Sequence, residues 1–187
     1  MNRGACHQAV FLDPTDRARF LDELASASLR SNVEVHGYCL VGNHFHLLIR
    51  TPEPSLDTAM QLLLGNYTRY FNDRHGRDGA LFRGRYKSIL IDSERYLLAV
   101  SRYVHRNALD VVGTHIADWP WSSYPIYLGL ATPKPWLYTK KLLELAGGLE
   151  SYKHLVESLL PSDIDHVFEQ SRLPSKVSSS GLLKGRV

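Results

Sequence analysis

His44 and His46 flank one bulky residue, Phe45, inside the apolar run Gly37-Tyr38-Cys39-Leu40-Val41-Gly42-Asn43-His44-Phe45-His46-Leu47-Leu48-Ile49. Side chains alternate along a strand, so residues two apart share a face. Both imidazoles therefore point one way and Phe45 the other. Two neutral imidazoles can hold a divalent metal when a third ligand arrives from elsewhere. A place in the middle of a core sheet makes the pair harder to dismiss, because buried polar rings cost free energy unless satisfied. The spacing alone leaves metal binding and chance evenly matched.

A second pair is Tyr103 with Asn107, on a helix expected from Ser93 to about Asn107. Residues four apart stack on one helical face. That face can carry a tyrosine nucleophile beside an amide-oxygen ligand, and an amide oxygen with two imidazoles suits Mg²⁺ or Mn²⁺ better than structural zinc. Tyr96 lies seven residues before Tyr103 and shares its face, and most tyrosines are packing residues. Spacing by itself does not separate nucleophile from core.

The third feature is basic and aromatic. From Arg69 to Lys87 the chain carries Arg69, Arg74, Arg77, Arg83, Arg85 and Lys87 against Asp73 and Asp78, with Tyr70, Phe71, Phe82 and Tyr86 interleaved. Arginines neutralise phosphates while rings stack on unpaired bases. The competing reading is a solvated helix end and a charge-protected edge strand. Six basic residues against two acids favour nucleic acid.

The elements that must position these residues follow from pattern. A helix is expected from Thr15 to about Leu29, with Asp13-Pro14 as its turn and Asn32 at its end. Strands over Val33–Val41 and His44–Arg50 flank Gly42-Asn43 and read as an antiparallel hairpin. Ser55 is placed to cap a helix to about Arg74. Leu81 to Ile91 reads as a strand, and Asp92 or Ser93 as the cap of the Tyr103 helix. Short helices are expected at Thr139–Ala146 and Leu149–Leu160, and a mobile tail after Pro174. This order is α+β and suits a ferredoxin-like antiparallel sheet with helices. That plan needs a strand before the first helix, for which only Ala5 to Leu12 is available, so the first strand is expected short or missing.

Bulk properties set outer bounds. The chain of 187 residues, 44% hydrophobic and 22% charged, suits one globular domain with an extension. We divide it at residues 1–130 and 131–187. The net charge of +3 permits an acidic partner without specifying one. Cys6 and Cys39 form no CxxC motif and read as reduced thiols, with Cys39 a small core residue. Absence of a membrane-length apolar stretch and of a signal-type N-terminus gives a cytoplasmic expectation.

Four motifs in order carry a resemblance: Gly42 to Ile49; Tyr70 to Ser88; Arg102-Tyr103-Val104-His105-Arg106-Asn107-Ala108; and Asp118-Trp119-Pro120-Trp121-Ser122-Ser123-Tyr124. From about Asn2 to Leu130 the chain resembles the REP-associated tyrosine transposases, within the single-tyrosine HUH transposases of bacteria. The resemblance implies that His44 and His46 are metal ligands, Asn107 the third ligand and Tyr103 the nucleophile. It also implies cutting and rejoining of single-stranded DNA through a 5′-phosphotyrosine, beside hairpins of repetitive extragenic palindromes. Arg69, Arg74, Arg83, Arg85 and Lys87 then become the expected DNA-binding residues, and a monomer is expected ahead of a dimer. Two departures are visible: little chain precedes Arg3-Gly4, where relatives carry a strand, and Ala108 stands where many carry proline. The alternative from another class is a catalytically silent relative that binds single-stranded DNA or RNA.

Overall fold

The central hairpin forms where alternation and turn residues put it. A computed structural model, describing residues 1–158, contains three strands: β1 (Asn2–Arg3), β2 (Glu34–Leu40) and β3 (His44–Arg50). They make an antiparallel sheet in the order β1-β3-β2. The β2–β3 register pairs Cys39 with His46 and Leu40 with Phe45, and one extra residue, His36, bulges between Val35 and Gly37. That bulge sets the His36 ring 3.1 Å from the Glu34 carboxylate, which also takes Arg50 at 2.9 Å. His36 is thus structural.

The helices are α1 (Pro14–Arg30), α2 (Leu56–His75), α3 (Glu94–Arg106), α4 (Leu109–Val112), α5 (Tyr124–Tyr127), α6 (Lys140–Ala146) and α7 (Leu149–Glu157). Asp13 caps α1 through its carboxylate, which accepts from the Asp16 amide at 3.0 Å, with Pro14 pre-set in the first turn. Asn32 follows the helix at φ 50, and Gly76 ends α2 at φ 59, both left-handed stops. Ser55 occupies the N-cap of α2, but its hydroxyl donates to the Glu53 carbonyl instead of capping the helix. The expected helix over Leu149–Leu160 is present as far as Glu157; its end and the tail after Pro174 lie outside the described residues.

Alternation on the hairpin divides the core into two layers. Phe45, Tyr38, Leu40 and Val35 pack with α1 and α2 through Phe20, Leu63, Tyr67 and Phe71. Cys39, Val41 and Leu48 face the other way, into a layer built by Val100 and Val104 of α3, Leu142 of α6, and Tyr152 and Val156 of α7. The sheet therefore sits between two helical layers, and the helices after residue 130 share their core with α3. Cys39 is fully buried there, and burial pushes its thiol up.

Two expectations about strands are corrected. Ala5 to Leu12 is not the first strand: Ala5–His7 is a 3-10 turn, with Cys6 and His7 at positive φ, and the strand is instead Asn2–Arg3. Leu81 to Ile91 is not a strand either. It touches β1 and the residues on either side of it at separate points: Arg83 donates from its amide to the Arg3 carbonyl at 2.9 Å, Lys87 does so to Met1 at 2.9 Å, and Gly4 bridges Phe82. A two-residue β1 offers no ladder for a longer partner to follow.

Gly4 sets the start of this arrangement. Its amide donates to the Asn43 carbonyl at 2.8 Å, next to His44. A Cβ on Gly4 would stand 2.2 Å from the Gln8 carbonyl oxygen, a backbone atom. Gly4→Ala is expected to destabilise the fold by about 1–3 kcal/mol, as overpacking does, measured by urea unfolding; an unchanged midpoint would refute the packing argument.

Candidate active site

β3 carries both histidines on its α3 side, as alternation requires. His44 is 5% exposed and His46 4%, and their ring centroids are 5.1 Å apart with the planes nearly perpendicular. α3 crosses this face of the sheet. It begins where the Ser93 hydroxyl accepts from the Tyr96 amide at 3.3 Å, and it brings Tyr103 edge-on to His46, centroids 5.3 Å apart. Tyr103 is 7% exposed. That contact separates the two tyrosines that spacing could not, since Tyr96 lies in the first turn of α3, seven residues earlier.

Asn107 follows one turn after Tyr103 and is buried at the end of α3. Its amide nitrogen donates to the Tyr103 carbonyl at 2.7 Å, which orients the side chain. At Ala108 the backbone amide donates to the His105 carbonyl at 3.2 Å, a bond that a proline there could not make. Among the described residues no three His, Cys, Asp or Glu side chains come together as a metal cluster. Asn107 is a buried amide at the end of the helix that reaches His46.

Asn43 carries only a turn signal in the sequence, and in the fold it orients His44. Its Oδ1 lies 2.7 Å from His44 Nδ1, and its Nδ2 donates to the His7 carbonyl at 3.4 Å. The second bond fixes which end of the amide faces the imidazole. His44 Nδ1 then carries the proton, and Nε2 is the nitrogen with the lone pair, as in many metal-binding histidines. Its place immediately before His44 was the one available signal.

The basic stretch divides. A cleft of about 400 Å³ opens beside His46 and Tyr103, lined also by Lys87, Tyr86, Leu56 and Met60. Arg83 and Arg85 are exposed on the same irregular segment. Arg69 sits elsewhere, in a shallow hollow of the α1–α2 surface with Arg19 and Asp73. Arg74 lines the same hollow as Arg69 and is engaged in ion pairs within the fold. It pairs with Asp13 at 2.6 Å and Asp16 at 2.5 Å, and Asp16, 0% exposed, also takes His75 at 2.9 Å. Hydrogen bonding from Arg74 holds the Asp13 carboxyl well below the usual range. The guanidinium is used to tie the start of α1 to the end of α2.

Residues 5–107, more than half of the chain, match the family described as IS200-like transposase. The chain belongs to that family. Neither a curated protein nor a solved structure matches it. The matched range takes in Asn43, His44, His46, Tyr103 and Asn107. Among the described residues no helix is long and apolar enough to cross a membrane.

Proposed function

We propose that this transposase-family chain is a metal-dependent transesterase for single-stranded DNA, of the single-tyrosine HUH class and the REP-associated branch. The observation that carries the reading is the contact of Tyr103 with His46, beside His44, in a cleft edged by Lys87. Tyr103 Oη attacks the scissile phosphorus; the P–O3′ bond breaks as the tyrosyl ester forms, and the proton lost by the phenol is balanced by one gained at the 3′ oxygen. The phosphodiester energy is kept in the 5′-phosphotyrosine for rejoining. His44, His46 and Asn107 would hold a Mg²⁺ or Mn²⁺ ion, whose chemistry when bound is to polarise the phosphate oxygens. The amide oxygen is a hard donor that suits either ion, while two imidazoles favour the softer Mn²⁺. Asn43 sets the ring orientation of His44.

A monomer is the proposed state. The outer edge of β2 is covered by its own chain: the Leu40 amide donates to the Trp121 carbonyl at 2.9 Å, Ser123 to Tyr38 at 3.0 Å, and Tyr138 to Val35 at 2.9 Å. Sheet extension through β2 is thereby blocked.

The test is incubation of the full chain with labelled single-stranded hairpin oligonucleotides, with and without Mn²⁺. The reading requires a metal-dependent protein–DNA adduct that survives denaturation. Retarded DNA with no adduct would favour the binding-only alternative.

Charge variants divide the basic stretch further. Arg83→Ala, Arg85→Ala and Lys87→Ala are each expected to weaken DNA binding and to lower the salt slope by about one. Arg74→Ala is expected to leave that slope unchanged and to lower the melting temperature by a few degrees. Titration of binding at several salt concentrations, alongside thermal melts, checks both; an altered slope in Arg74→Ala would return Arg74 to the DNA surface.

A further inference from the structure

We propose that His105 is a positioning residue, which fixes the rotation of α3 so that Tyr103 meets His46. The proposal rests on the reading of Tyr103 as nucleophile. His105 lies two residues on, about 200° around the helix, and its Nε2 reaches Gly37 of β2, 3.6 Å from where a Cβ on that glycine would stand. It is 0% exposed, and both ring nitrogens are engaged: Nε2 lies 2.8 Å from Ser123 Oγ and Nδ1 3.1 Å from the Tyr152 hydroxyl. Ser123 Oγ in turn accepts from the Tyr38 amide at 2.9 Å and lies 3.2 Å from the Tyr38 carbonyl.

The Nε2–H tautomer of His105 gives each of these groups a partner. Ser123 donates to the Tyr38 carbonyl, His105 Nε2–H donates to Ser123, and Tyr152 donates to His105 Nδ1. The imidazole thus ties α3 to the backbone of β2 on one side and to α7 on the other. An apolar side chain could fill the same space but could not specify an angle. A fully paired buried polar network does, because a turned ring would leave buried groups unpaired.

The residues around Tyr103 reinforce the same orientation. Arg102 donates from Nε to the Leu155 carbonyl at 3.0 Å and from Nη2 to Ser158 at 2.9 Å; Arg106 donates to Val156 at 3.1 Å and Ser158 at 3.2 Å. These two arginines, one turn apart, hold the carbonyl end of α7, where cations are favoured. The helices after residue 130 therefore serve as a brace for the tyrosine helix. Misplacing a reacting group by about 1 Å is enough to lower a rate roughly a hundredfold.

The experiment uses the full chain with His105→Leu, His105→Gln and Tyr152→Phe. Three readouts are taken: the single-turnover rate of adduct formation at saturating hairpin DNA, the Kd for that DNA, and the imidazole resonances of His46. The Tyr103 ring shifts those resonances, and Tyr103→Leu supplies the reference for its removal. His105→Leu is expected to keep its Kd within about twofold, to form adduct roughly a hundredfold more slowly, and to move the His46 resonances toward that reference. His105→Gln, which retains a donor toward Ser123, should recover most of both. If His105→Leu does not fold, Tyr152→Phe carries the test, with a smaller change of the same sign in rate and resonances. A folded variant with wild-type His46 resonances and wild-type rate overturns the proposal. Should the wild-type chain form no adduct, the transesterase reading fails, while the His46 resonances still decide whether His105 orients α3.

Discussion

Tyr103→Phe is expected to give a folded protein that binds single-stranded DNA as the wild type does and forms no covalent adduct with it. The substitution keeps the ring that packs edge-on against His46 at 5.3 Å and deletes one atom, Oη. Packing in the α3 layer is therefore retained, and a change in activity reads the chemistry of the hydroxyl. Removing a nucleophile lowers turnover by at least about three orders of magnitude. A denaturing gel for the adduct and fluorescence anisotropy for the affinity check the two halves. Adduct at the wild-type level would move the nucleophile elsewhere, first to Tyr86, which lines the same cleft.

His46→Ala has the second largest expected effect. The imidazole stands between His44 and Tyr103, touching both rings, so its loss removes a proposed ligand and the surface against which the nucleophile rests. Metal-dependent cleavage should fall by more than the roughly 10–100-fold seen when only an outer partner of a ligand is lost. A readout independent of cleavage is the melting temperature. A bound ion stabilises the folded state by mass action, so Mn²⁺ should raise the wild-type midpoint and leave that of His46→Ala unmoved. Equal shifts in both proteins would exclude His46 from the ligand set.

Much of the frame was legible because its signals are local. Asp13-Pro14 and Ser93 start helices through their own side chains or ring, and a period of two on β3 puts His44 and His46 on one face whatever surrounds them. The segment Leu81–Ile91 misled because its strand-like composition says nothing about the length of its partner, and β1 has only two residues. Ala5–Leu12 misled because its path is decided by contact: Gly4 packs on the Gln8 carbonyl and Cys6 and His7 take positive φ. Arg74 looked like its basic neighbours until the fold delivered Asp13 and Asp16 from about sixty residues away. The choice between Tyr96 and Tyr103 was of the same kind. Both share a helical face, and only the crossing of α3 over β3 decides which reaches His46.

The central claim is that Tyr103 carries DNA covalently, and mapping the attachment site tests it most directly. The adduct formed on hairpin DNA with Mn²⁺ would be trimmed with nuclease, digested with trypsin and read by mass spectrometry. Cleavage after Arg102 and Arg106 isolates Tyr103-Val104-His105-Arg106, a peptide with one tyrosine. The expected result is a 5′-phosphodeoxynucleotide on that peptide. A nucleotide on the peptide of Tyr86 or Tyr96, with this one unmodified, would contradict it.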